Sequence, residues 1–112
     1  MLLQFGTKQM KYYNDEWQIN QYAKESFERY FEQGLPPGSF CTAVLANDLI
    51  SAANKADHWN QTLLASTAQW VYHNAPRGSW GSYEAVQGWL DKNQYYQEHQ
   101  KQLTFTILQD SA

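Results

Sequence analysis

Apolar residues recur at steps of three and four in the first third of the chain, the spacing that places them on one face of an α-helix. This stripe consists of Ile19, Ala23, Phe27, Tyr30 and Phe31, with Tyr22 beside it. Asp15 precedes the stripe with Gln18 three residues later, which approximates a capping box. Gly34 and the two prolines after it end the pattern. The sequence therefore predicts a first helix over about residues 15–33.

A second helix is predicted from Ser39, a good capping residue, up to Asp57. At 100° per residue, its polar and apolar positions separate onto two faces. The polar stripe contains Asn47, Asp48, Ser51, Asn54, Lys55 and His58, and the opposite face contains Leu45, Ala46, Leu49, Ala52, Ala53 and Ala56. Phe40 and Val44 fall on the polar side, where we expect the first helix or a partner to cover them. The Asn47–Asp48 pair then begins the polar face of one amphipathic helix.

Two further helices are predicted in the second half of the chain. Asp57 caps the third helix, which runs to about Asn74, before a proline. Its inner side is predicted to contain Leu63, Leu64, Ala68, Val71 and Tyr72, with Trp59 and Trp70 on the adjacent edge. Ser82 caps the fourth helix, whose apolar stripe is Val86, Trp89 and Leu90. We expect Trp70, Trp80 and Trp89 to form a second, aromatic part of the core.

The two ends of the chain have a different pattern. Leu103, Phe105 and Ile107 alternate with polar residues, which is strand periodicity, and Leu3 and Phe5 could form a partner strand. Pairing of this strand with another chain is the alternative. We therefore predict an all-α fold in one compact four-helix domain spanning 1–112, with an N-terminal arm (1–13), a helical core (14–91), a C-terminal tail (92–112) and a candidate β pair between the ends.

Composition narrows the classes of partner. The chain has 112 residues and a formal net charge of −3, which argues against a nucleic-acid binder that relies on bulk positive charge. Its eight basic residues are scattered along the sequence. A single cysteine excludes an intramolecular disulfide, and no apolar run is as long as a membrane span. We expect a cytoplasmic protein with no membrane partner and no nucleic-acid partner.

No catalytic signature is present. His58, His73 and His99 lack the spacing of a helical metal site. Cys41 falls in the first turn of the second helix, where the helix dipole would lower its pKa, but a small, partly buried thiol is the preferred interpretation. Asp48 acting as a general base with a histidine is the enzymatic alternative. We predict no catalytic residue, no metal site, no cofactor and no enzymatic activity.

Three segments in order, "GLPPGSFCTAVLANDLISAANKAD", "WVYHNAP" and "WGSYEAVQGWL", carry a resemblance over about Gly34 to Leu90. The chain resembles small uncharacterised accessory proteins of tailed phages and mobile elements, in which a Pro-Pro-Gly turn, an apolar helix with Asn-Asp and a later Trp-Gly-Ser turn follow one another. The resemblance implies a non-enzymatic accessory protein in the cytoplasm of a bacterial host. It implies that this protein binds a host protein and inhibits a defence or regulatory complex.

The polar stripe of the second helix and the loop before the fourth helix supply the candidate binding residues. These are Asn47, Asp48, Ser51, Asn54, Lys55, Arg77 and Trp80. A second interpretation stays open, in which Asn47 and Asp48 hydrogen-bond to the loop backbone near Pro36 or Trp80 and are structural. A small nucleic-acid-associated regulator is the alternative function, and a homodimer formed through a terminal strand or an aromatic edge is a further possibility.

Overall fold

The structure, a computed structural model, describes residues 12–94, and the regular secondary structure of this range is α-helical. Within this range there are six helices and no strand. The helices are α1 (Gln21–Gln33), α2 (Ser39–Leu45), α3 (Leu49–Lys55), α4 (His58–Thr62), α5 (Leu64–Asn74) and α6 (residues 83–94). The prediction of an all-α domain is confirmed, but the predicted second and third helices are each divided in two. The predicted terminal β pair lies outside the described residues.

α1 begins later than predicted. Its cap is Asn20, whose side chain accepts a hydrogen bond of 2.8 Å from the backbone N–H of Tyr22. The predicted cap, Asp15, instead accepts hydrogen bonds from the indole of Trp70 at 2.9 Å and from the ammonium of Lys24 at 3.0 Å. The Asp15 carboxylate is thus bound to α1 and α5 and does not cap a helix. The segment from Asp15 to Asn20 is non-helical. The predicted end of the helix at Gly34 is confirmed, and that glycine has a φ of +70°.

The predicted second helix is broken at the Asn47–Asp48 pair. Asn47 has a φ of +64°, a left-handed conformation that asparagine tolerates better than most residues. Asp48 then caps α3, because its Oδ1 accepts a hydrogen bond of 3.2 Å from the N–H of Ser51. The prediction of one continuous amphipathic helix is wrong here. The two polar residues end one helix and start the next.

The predicted third helix is divided at Leu63, and its inner face is rotated from the predicted one. Asp57 caps α4 through a hydrogen bond of 2.7 Å from the N–H of Asn60, as predicted, and α5 ends at Asn74. The buried residues of α5 are Thr67, Trp70 and Val71. Ala68 and Tyr72 are exposed, contrary to the prediction. The break resets the helical phase, and the large ring of Trp70 takes the core position.

Trp70 is the centre of the core. Its ring is fully buried and packs against Tyr13, Phe27 and Phe31, with ring centroids 5.3, 5.9 and 6.2 Å away. The two other tryptophans expected beside it lie elsewhere. Trp89 pairs with Tyr30, and Trp80 pairs edge-on with Tyr72. The predicted cluster of three tryptophans is wrong, because α5, the loop and α6 each direct their ring to a different neighbour.

Two hydrogen bonds fix the loop between α5 and α6 to α1 and α2, and a third joins α6 to α1. The hydroxyl of Tyr30 donates to the carbonyl of Ser79 at 2.8 Å, and the N–H of Gly81 donates to the carbonyl of Leu45 at 2.7 Å. The indole of Trp89 donates to the carbonyl of Tyr30 at 2.9 Å. Together these bonds place the loop against the break between α2 and α3. Of the helices in residues 12–94, none has the length and apolar character needed to cross a membrane.

Candidate functional site

An open depression of about 410 Å³ lies between α3 and the start of α5. Six of its lining residues are apolar and four are polar: Val44, Leu49, Ala52, Leu64, Ala65 and Ala68, with Asn47, Asp48, Gln61 and Thr62. The helix break forms one side of it, because Asn47 and Asp48 connect α2 to α3 at this point. Two residues of the predicted binding set therefore line a real concave surface.

A second depression of about 500 Å³ continues from the first along α5. The two share Asn47, Ala65 and Ala68, and the second also contains Gln69, Tyr72 and Trp80. We call the two depressions together the α5 groove. From Leu64 to Tyr72 the groove follows α5 over nine residues, whose eight steps of about 1.5 Å span about 12 Å.

Large apolar side chains in or near the α5 groove are open to solvent. Leu49 is 66% exposed, Tyr72 is 62% exposed, and Ile50, beside Leu49 on α3, is 71% exposed. Leu49 was predicted to point inward; it is exposed because α3 starts afresh after the break and buries Ala52 instead. Apolar side chains grouped at a concave surface mark an interaction site more often than scattered ones do.

Within residues 12–94, Asp48 is the only charged residue that lines the α5 groove. Its Oδ2 accepts a hydrogen bond of 2.7 Å from the hydroxyl of Tyr83, and its Oδ1 accepts from the N–H of Ser51. The Tyr83 hydroxyl is the main reason that the pKa of the Asp48 carboxyl is below its usual value, with the Ser51 bonds second. The same hydrogen bond raises the pKa of Tyr83. Asp48 is therefore a carboxylate at neutral pH.

These contacts bear on the structural interpretation of the Asn47–Asp48 pair. Asp48 does connect two elements, but its partners are α3 and the first turn of α6, not the loop backbone near Pro36 or Trp80. The connection from α2 to the loop is made by backbone atoms of Leu45 and Gly81. Asp48 is thus structural, and it also lines the groove.

The predicted binding residues do not all come together. Asn47, Asp48 and Trp80 line the α5 groove, and Ser51 reaches it only through its hydrogen bond to Asp48. Lys55 lines a different cleft, and the exposed Asn54 and Arg77 line neither of the two depressions that form the groove. The single polar stripe does not exist as a surface, because its helix is interrupted.

Sequence reasoning missed the part of the groove that belongs to α5. Ala65, Ala68 and Tyr72 lie at i, i+3 and i+7, one face of that helix. Ala68 and Tyr72 had been assigned to the core. Thr67, Trp70 and Val71 lie at i, i+3 and i+4 and form a second stripe on this helix. This stripe contains the larger ring, and that was the signal that it faces the core and that Ala68 and Tyr72 do not.

Cys41, His58 and His73 do not line this groove, whereas the candidate base Asp48 does, and His99 lies outside the described residues. Cys41 is buried, and burial raises the pKa of its thiol to about 11, so the expected lowering by the helix dipole is wrong. His73 stacks on Trp17 with ring centroids 4.1 Å apart. Among residues 12–94 the donors to Asp48 are Ser51 and Tyr83, and neither is a histidine. Within residues 12–94, no three His, Cys, Asp or Glu side chains are grouped so that they could hold a metal ion.

Comparisons with known proteins do not add to this picture. No protein-family model matches the sequence, and no curated protein or solved structure is significantly similar to it. What the chain binds must therefore be argued from the geometry and chemistry of the α5 groove.

Proposed function

We propose that this chain is a non-enzymatic binding protein that engages a host protein through the α5 groove. In this proposal it is an accessory protein of a phage or mobile element, and it inhibits a bacterial defence or regulatory complex. The observation that supports binding is the groove itself, with its small apolar lining and the exposed side chains of Leu49 and Tyr72. The resemblance of residues 34–90 to phage accessory proteins supports the origin.

The apolar surface of the α5 groove is exposed to water in the free chain. Burying such surface is favourable by about 25 cal/mol per Å², so a partner that covers Leu49, Tyr72 and the two alanines gains from contact alone. Aromatic and aliphatic anchors with few charges are also the composition of the buried centre of protein interfaces. The described residues of the lining include one carboxylate and no cation, which is unfavourable for phosphate groups, so the geometry favours a protein over a nucleic acid.

Affinity purification with a matched pair of variants tests this function. Ala68→Arg places a charged side chain in the groove, and because Ala68 is exposed the fold should be retained. Gln21→Arg adds the same charge on α1, at a residue that lines neither depression. A bacterial protein recovered with the wild-type chain and with Gln21→Arg, but not with Ala68→Arg, is the expected result. Recovery of the same proteins with all three chains would contradict the proposal.

A further inference from the structure

We infer that the occupant of the α5 groove is an amphipathic α-helix of the partner protein, with large apolar side chains facing the groove and a lysine or arginine beside Asp48. This inference rests on the proposed function, since it names the partner chemistry for the same groove. Three features support it: the shape of the groove, the absence of a strand edge around it within residues 12–94, and the position of the Asp48 carboxylate.

The shape of the groove suits a helix of about two turns. α5 contributes Ala65, Ala68 and Tyr72 along one face over about 10.5 Å, close to two turns of a second helix. Small side chains at the contact let two helices approach to the short end of the usual 8–10 Å between axes. Larger side chains of the incoming helix would then fill the depressions on either side of the two alanines.

The backbone around the groove disfavours an extended occupant. A strand gains affinity by hydrogen-bonding to the free edge of a sheet. The groove is formed by α3, by α5 and by the turns beside them. Inside α5 the backbone groups are paired within the helix, and the groups left at helix ends do not form the continuous row that a strand needs. No strand edge exists within residues 12–94. A helix brings its own backbone bonds satisfied and needs only side-chain contacts.

Charge complementarity selects the sign of the polar residue on that helix. Asp48 is an ionised carboxylate among the neutral lining residues of 12–94, and it accepts hydrogen bonds from the Tyr83 hydroxyl and from Ser51. The charge of Lys55 acts on Asp48 more weakly than these hydrogen bonds do. A carboxylate has about four acceptor positions, so at least one remains for a cationic donor. A lysine or arginine on the incoming helix meets this need, whereas a glutamate or aspartate at the same place would be repelled.

Selection of peptides tests the inference without a known partner. The full chain is immobilised, and displayed random 16-residue peptides are enriched on it and depleted on Ala68→Arg. We expect the enriched peptides to have large apolar residues at i and i+4 or i+7 and a lysine or arginine on the flank of that stripe. A proline placed at a central, outward-facing position of such a peptide should weaken binding more than tenfold, because it breaks the helix.

The matched variant Asp48→Asn tests the charge alone. Asparagine caps a helix as well as aspartate through its single oxygen, and its amide N–H can donate to the hydroxyl oxygen of Tyr83, so the fold of the groove is kept while the charge is removed. Binding of a selected lysine-containing peptide should weaken roughly threefold at low ionic strength, as for an exposed ion pair. The same peptide with norleucine in place of lysine should bind wild type and Asp48→Asn equally.

Three results would overturn the inference. One is selection of peptides that tolerate the central proline, and another is a preference for acidic peptides. The third is self-association of the chain that Ala68→Arg abolishes, since a second copy would then fill the groove. The proposed function fails separately, when host-protein recovery is the same for Ala68→Arg and wild type. If no peptide distinguishes wild type from Ala68→Arg while host-protein recovery does, the groove binds a partner but the helix assignment is wrong.

Discussion

The hydroxyl of Tyr83, in the first turn of α6, donates a hydrogen bond of 2.7 Å to Oδ2 of Asp48, while Oδ1 of the same carboxylate caps α3. One side chain thus fixes the start of α3 and ties it to α6. It does so at the groove, so the position of the one charged side chain that lines the groove within residues 12–94 is set by two elements. The stability of the chain and its dependence on pH follow from this contact.

Tyr83→Phe should make the chain less stable at neutral pH and raise the pKa of Asp48 toward its usual value. Because the pKa of Asp48 is lowered in the folded state, its stabilising contribution is complete above the ordinary aspartate pKa of about 4. The contribution is lost as the pH falls through the folded value. The difference in free energy of unfolding between wild type and Tyr83→Phe should therefore close in acid. Urea unfolding at several pH values measures it, and a difference that persists unchanged at pH 2 would contradict this account.

The left-handed conformation of Asn47 predicts an unusual order of substitutions. Asn47→Ala should cost about 1 kcal/mol, because a side chain with Cβ and no local hydrogen bond is strained at a φ of +64°. Asn47→Gly should stay within about 0.5 kcal/mol of wild type. If α2 and α3 were one continuous helix, alanine would instead be the more stable replacement. Thermal unfolding of the two variants decides between these outcomes.

Two glycines on neighbouring elements should respond to alanine in opposite directions. At Gly34, φ is +70° and an added Cβ would overlap the Cβ of Asn93, so Gly34→Ala should cost at least about 2 kcal/mol. At Gly88, inside α6, an added Cβ meets nothing within 4 Å. Gly88→Ala should therefore stabilise the chain by about 0.5–1 kcal/mol. Equal effects of the two substitutions on the free energy of unfolding would show that α6 does not pack on the end of α1.

The thiol of Cys41 should be unreactive in the folded protein. It is 5% exposed in the core, and burial raises its pKa to about 11, so it is neutral and shielded at pH 8. A colorimetric disulfide reagent should label it only after unfolding in guanidinium chloride. The same chain unfolded in denaturant is the control. Labelling of the native chain at the rate of a free thiol would contradict the described core.

Local signals predicted most of the element boundaries that depend on one residue, although the N-cap of α2 is Gly38 and not the predicted Ser39. The cap at Asp57, the end of α1 at Gly34, the end of α5 before Pro76 and the cap at Ser82 are all found as expected. Each of these depends on backbone chemistry that a neighbour several helices away rarely changes. The predicted cap at Asp15 is wrong because a distant residue does intervene: Trp70, 55 positions later, binds its carboxylate.

Helical phase was the feature that could not be predicted. A polar pair inside a mostly apolar run fits both a polar face and a helix break, and only the tertiary packing distinguishes them. The helix break at Leu63 was not predicted either, so the predicted buried face of α5 was rotated from the observed one. Ala68 and Tyr72 were therefore assigned to the core, although they are exposed. The groove was therefore only half predicted, through Asn47, Asp48 and Trp80 but without α5.

Site-specific photo-crosslinking tests the binding surface most directly. A benzophenone amino acid replaces Tyr72, in the groove, or Tyr22, which is 73% exposed but lines a different cleft. Each full-length variant is irradiated in a bacterial lysate, and the adducts are identified by mass spectrometry. We predict one host protein crosslinked from position 72 and absent from position 22, with the adduct lost when Ala68→Arg is added. Adducts that form equally from both positions, or that survive Ala68→Arg, would contradict the assignment of the α5 groove as the binding surface.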